Sequence, residues 1–75
     1  MDYKIIKILA EIRPEFDFSE SSNFIEEGML DSFDIVQLVV ALDSEFGVSI
    51  DGIDIVPENF ESVNSMMALL RKKGA

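Results

Sequence analysis

Between Tyr3 and Arg13 the apolar residues Ile5, Ile8, Leu9 and Ile12 recur at steps of three and four. That spacing predicts one buried stripe on an amphipathic helix. Pro14 ends it at Arg13, because the residue before a proline is pushed out of the α region. A stronger period runs from Ser32 to Phe46, where Ile35, Leu38, Val39, Leu42 and Phe46 share a stripe and Gly47 stands at the stop position. Ser62 suits the N-cap of a last helix with the stripe Val63, Met66, Met67 and Leu70.

The intervening segments are less regular. Pro14 to Asp31 has no clean period and carries Ser19, Ser21, Ser22, Asn23 and Gly28. It also holds Phe16, Phe18, Phe24, Ile25, Met29 and Leu30, the content of a long loop pinned to the core. Val48 to Val56 alternates partly like a strand, but a lone strand has no partner in this chain, so it reads as an extended connector. Pro57 to Phe60 fits one short helical turn with proline at a tolerated first position. The expectation is an all-α, four-helix bundle with three long helices, one short helix and a long first loop, forming a single domain over residues 1–75.

The helix expected over Ser32 to Phe46 carries one anomaly. Phe33, Val36 and Val40 fall on a strip displaced from its core stripe, so the helix is apolar around more of its circumference than one-sided burial needs. Wider burial in the bundle and an exposed docking surface beside Ser32 are the two explanations. Asp34, Gln37, Asp43 and Ser44 flank the strip, with the two acids able to attract basic partners.

Composition narrows the function classes. At 75 residues there is room for one core, and an apolar share of 48% with 28% charged residues supports a compact fold. Fifteen acids against six bases give a formal net charge of -9, which repels nucleic acid and anionic lipid and favours basic partners. Three of the bases, Arg71, Lys72 and Lys73, complement the C-terminus of the last helix. No apolar run is long enough to span a bilayer and the first residues lack a cleavable signal pattern, so the expectation is a cytoplasmic monomer without membrane insertion.

Cysteine and histidine are both absent. This removes thiolate chemistry, the commonest general base and metal ligand, and any Ser-His arrangement, so no catalytic residue and no metal site is expected. Glu26 with Glu27, or Asp51 with Asp54, form carboxylate pairs that read as solvated surface acids. Asp51-Gly52-Ile53-Asp54 lacks the spacing and closing glutamate of a calcium loop. What remains is Gly28-Met29-Leu30-Asp31-Ser32-Phe33-Asp34, which sets a serine at the start of the strongest helix. A phosphate ester there would meet outward N–H groups and the positive end of the helix dipole. Equally, Ser32 or Asp31 could simply cap the helix, leaving an unmodified acidic interaction module.

The run from Leu30 to Ile50 resembles the acyl carrier proteins and peptidyl carrier domains. It joins Asp31-Ser32 at the helix start to Val36-x-Leu38-Val39-x-Ala41-Leu42-x-x-Glu45-Phe46-Gly47-Val48-x-Ile50, after the approach Glu26-Glu27-Gly28. The resemblance implies that a phosphopantetheinyl transferase attaches 4'-phosphopantetheine to Ser32, beside Asp31, and that the arm's thiol carries acyl or aminoacyl cargo as a thioester. It further implies a non-catalytic carrier. Phe33, Asp34, Val36, Gln37 and Val40 are its implied docking residues for an adenylating ligase or an acyltransferase or synthase with a basic docking surface. Phe33 in place of the usual leucine, Gln37 and Ser44 where fatty-acid carriers have acids, and a longer connector depart from the housekeeping fatty-acid carriers, while Glu26-Glu27-Gly28-x-Leu30-Asp31-Ser32-Phe33 with Val36-Gln37-Leu38 looks closer to D-alanyl carriers and other specialised stand-alone carriers.

Overall fold

A computed structural model describes residues 2–19 and 23–75. Ser21 and Ser22, two of the residues that mark the first loop as irregular, lie outside the described residues. Helix α1 spans Asp2–Ile12, α2 Ser32–Phe46, α3 Pro57–Phe60 and α4 Val63–Lys72, with a 3-10 turn at Gly52–Asp54 and no strand among the described residues. Helix α1 therefore closes at Ile12. Arg13 still donates its N–H to the Leu9 carbonyl at 2.9 Å, while its side chain leaves the helix for other work.

The stripes close on one core. Ile5, Ile8 and Leu9 of α1 meet Leu38, Val39 and Leu42 of α2 and Met66, Leu69 and Leu70 of α4, with Ile12, Ile35, Phe46, Val63 and Met67 half-buried around them. Leu69 corrects the expected α4 stripe: the buried face centres on 66, 69 and 70, and Met67 sits at its edge. Helix α1 packs against α2 and α4, and α3 packs against α4. Helix α2 stops at Gly47, whose left-handed backbone (φ 63°) suits a residue without Cβ and returns its N–H to the Asp43 carbonyl. Ser62 caps α4, its hydroxyl accepting from the Ser65 N–H.

The first loop is pinned as its aromatics suggest. Phe18, Phe24, Met29 and Leu30 are buried, and Phe18 meets Phe24 edge-to-face at 5.0 Å between centroids. Phe24 also ties the loop by its backbone, donating to the Glu61 carbonyl at 2.7 Å and accepting from the Met29 N–H at 2.8 Å. Those bonds hold Met29 and Leu30, and therefore the approach to Ser32, against the segment that joins α3 to α4.

The connector is extended on both sides of its 3-10 turn and is clamped from the chain's end. Lys73 Nζ meets Asp54 Oδ2 at 2.5 Å and Asp51 Oδ2 at 3.0 Å, and Asp54 Oδ2 also accepts the Asp51 N–H at 3.1 Å. The expectation of two solvated acids is thereby corrected: Asp51 is exposed, but Asp54 is buried against the lysine that compensates it. The Lys73 ammonium, helped by the Asp51 N–H, holds the Asp54 carboxyl below the usual aspartate range, against partial desolvation.

A carboxyl lowered in the folded state stabilises at pH values above its unfolded pKa, and that contribution disappears as the pH falls through the folded value. The melting temperature of Asp54→Asn should accordingly lie below wild type at neutral pH, and the gap should begin to narrow once the pH drops beneath about 3.9, the ordinary aspartate value, and close only below the lowered folded value. A gap unchanged from pH 7 to pH 3 in a thermal-melt series would show that the clamp does not depend on this charge.

Candidate functional site

The sequence pattern that singles out Ser32 is built by a reciprocal cap. Asp31 adopts extended backbone as the N-cap of α2. Its Oδ1 accepts the Asp34 N–H at 2.9 Å, while Asp34 Oδ2 accepts the Asp31 N–H at 3.2 Å. This is a capping box in which aspartate fills the third helical position in place of glutamate. The Asp34 N–H holds the Asp31 carboxyl below the usual aspartate range, against partial desolvation. Ser32 is thus the first helical residue rather than the cap, it is exposed, and its hydroxyl takes no part in the capping bonds. Of the two residues that could have capped the helix, Asp31 does so, and the serine oxygen is left at the surface above the helix start.

A groove of about 480 Å³ opens beside it, lined by Ile25, Leu30, Ile35, Val36, Ile55 and Pro57 together with Asp31 and Ser32. Its walls come from the first loop, α2, the connector and the start of α3, so the clamps on Phe24 and Asp54 also shape the surroundings of Ser32. A phosphate ester on the serine would meet the helix N-terminus, and an arm leaving it has an apolar wall to lie against. The residues present therefore fit a group joined through a phosphate.

Phe33, Val36 and Val40 are 71%, 57% and 65% exposed, which decides between wider burial and an outward strip in favour of the strip. Gln37 is exposed among them. Asp34 does not belong with them: it is 5% exposed, turned inward into the cap and bonded to Arg13. Asp43 is likewise occupied, accepting the Ile50 N–H at 3.0 Å. Each of these acids satisfies a backbone donor that would otherwise be orphaned.

Arg13 is the residue that sequence reasoning missed, having marked it merely as the end of a helix. It lies 18 residues from Asp31 and 21 from Asp34, beyond any local pattern. The spacing Asp31-x-x-Asp34 was the available signal for the box itself.

The sequence profile described as phosphopantetheine attachment site matches residues 4–70. The chain is 30% identical over 71 residues to the D-alanyl carrier protein of Bacillus velezensis, covering 89% of this chain and 91% of that one. It is 34% identical over 59 residues to the acyl carrier protein of Thermotoga maritima, covering 79% of this chain and 70% of that one. A helical bundle with an exposed serine at the head of its central helix and a profile match over nearly its whole length define a phosphopantetheine-bearing carrier. The chain belongs to the phosphopantetheine-attachment family of carrier proteins. Its function is that of an acyl or aminoacyl carrier with covalently attached 4'-phosphopantetheine, acting with a phosphopantetheinyl transferase and biosynthetic enzymes. No helix among the described residues is long and apolar enough to cross a membrane.

Proposed function

We propose that Ser32 is the attachment point, and that this chain, a single carrier domain over residues 1–75, works in the cytoplasm as a carrier of a small acyl or aminoacyl group without catalysing a reaction itself. The observation that carries the reading is the division of labour at the helix start: Asp31 does the capping, which leaves the Ser32 hydroxyl unoccupied and exposed. In the loading step a bond forms between Ser32 Oγ and the β-phosphorus of coenzyme A, and the pyrophosphate P–O bond breaks. Adenosine bisphosphate departs with the electron pair, and the hydroxyl proton passes to the transferase. The arm supplies the thiol that this cysteine-free chain lacks.

A small cargo accords with the groove. Leu38, Leu42, Phe60 and Met66 of the core are fully buried, so cargo meets a surface furrow and not an open interior. The D-alanyl carrier protein of Bacillus velezensis, matched over nearly its full length, makes an aminoacyl group the first to test. The corresponding partner is an adenylating ligase, or an acyltransferase or synthase, with a basic rim around an apolar patch that receives Phe33, Val36 and Val40.

Because the chain has no cysteine, thiol titration reads the function directly. Before treatment no thiol should react; after incubation with coenzyme A and a broad-specificity transferase, one thiol per chain should appear and become blocked on enzymatic aminoacylation. Absence of any thiol after treatment would reject the reading. Docking has its own prediction. Val36→Ser and Val40→Ser should leave stability within about 0.5 kcal/mol of wild type, as exposed substitutions do. Each should slow transfer by a cognate enzyme roughly tenfold, the scale of a docking hot spot. A large stability loss with unchanged transfer would place these side chains in the core instead.

A further inference from the structure

Arg13 reaches from the end of α1 to the start of α2, where two of its three nitrogens bond, the third meeting Glu15 in the first loop. Nε donates to Asp34 Oδ2 at 2.8 Å, Nη2 to Asp31 Oδ2 at 3.3 Å and Nη1 to Glu15 Oε2 at 3.1 Å. The cap does not need it, since Asp31 and Asp34 already exchange N–H bonds with one another. What the cap creates, however, is two carboxylates within one turn of Ser32. A phosphodiester on that serine would bring a third negative charge to the same turn, in a chain whose net charge is already -9. Like charges at such separations oppose one another, and they would cancel the attraction of the helix N-terminus for phosphate.

We propose that Arg13 is a positioning residue for the phosphopantetheine arm: it acts through Asp31 and Asp34, turning both carboxylates onto its guanidinium and balancing their charge, so that the start of α2 accepts the anionic phosphodiester. The proposal rests on Ser32 as the attachment point. Arginine suits the task where lysine would not, because a planar fork engages several carboxylates at once while an ammonium is a single point charge. Placing it just past the end of α1 also makes α1 and the first loop part of the site.

The test compares apo and holo forms of wild type, Arg13→Gln, Arg13→Lys and the double variant Arg13→Gln/Asp34→Asn by thermal unfolding at low and high ionic strength. It adds the initial rate of arm transfer from coenzyme A. Attachment should leave the wild-type melting temperature unchanged or raised and should lower that of Arg13→Gln at low salt. That penalty should fade near 1 M salt, where the Debye length is about 3 Å. Arg13→Lys should fall between the two, and the double variant, which removes one charge of each sign, should lose most of the penalty. Transfer to Arg13→Gln should be slowed at least tenfold at low salt and should recover as salt is added.

An equal holo-minus-apo difference in wild type and Arg13→Gln at low salt would overturn the proposal. So would a transfer defect that ignores salt and is shared fully by Arg13→Lys, since that describes a purely structural tie. Should Arg13→Gln fail to fold, the double variant and Arg13→Lys still separate charge from shape. Ser32→Ala run alongside distinguishes the two levels: an arm acquired by Ser32→Ala would reject the attachment point itself, independently of Arg13.

Discussion

Phe24→Ala should lower the unfolding free energy by about 3–5 kcal/mol, the range for truncating a buried phenylalanine. For a domain whose total stability is on the order of 5–10 kcal/mol, this removes a large fraction of it. Phe24 is fully buried, packs edge-to-face on Phe18, and carries the backbone bonds that fasten the first loop to Glu61 and to Met29. Truncation opens a cavity and withdraws the side chain that seats those bonds. Urea titration should show the midpoint falling with little change in slope. A loss below about 1 kcal/mol would mean that the loop is not fastened through this ring.

Ser32→Ala should abolish phosphopantetheinylation completely while leaving the helix start intact, because Asp31 and Asp34 form the cap without the hydroxyl. Ser62 provides the internal comparison. It too stands at a helix N-terminus, but as the cap itself, half-buried, with its oxygen accepting the Ser65 N–H at 3.1 Å and its hydroxyl donating to Ser65 Oγ at 3.0 Å. Ser62→Ala should therefore destabilise by about 1 kcal/mol and accept the arm at the wild-type rate. The opposite pairing, with Ser62→Ala unmodified and Ser32→Ala modified, would exchange the roles given to the two serines.

The contrast between these serines marks how far the sequence carries. Helical periods located α1 and α2 to within a residue, and a capping serine the start of α4, because buried stripes, caps and stop signals such as Pro14 and Gly47 are local. The same locality made Ser62 readable as a cap. At Ser32 it left two candidates, since Asp31 and Ser32 are both good capping residues, and backbone geometry was needed to assign the cap to Asp31. The exposed strip of Phe33, Val36 and Val40 was visible as an excess of apolar residues, but its outward orientation depends on how the neighbouring helices pack.

Long-range charge pairing was not visible. Asp34 read as a surface acid because nothing near it in sequence announces Arg13, and Asp54 read likewise because Lys73 arrives from the far end of the chain. In both cases a carboxylate that local pattern assigns to solvent is turned inward to satisfy backbone N–H groups, and a base from a distant segment balances it. Two of the fifteen acids are thus turned inward, while the net charge of -9 that favours basic partners is unchanged, since the bases that pair with them are already counted in it.

Site-resolved mass spectrometry of the chain after incubation with coenzyme A and a phosphopantetheinyl transferase locates the arm. A single added phosphopantetheine per chain is expected, with the fragment ions placing it on Ser32. An arm located on any other residue, or a chain that stays at its apo mass under conditions that load a known carrier, would contradict that expectation.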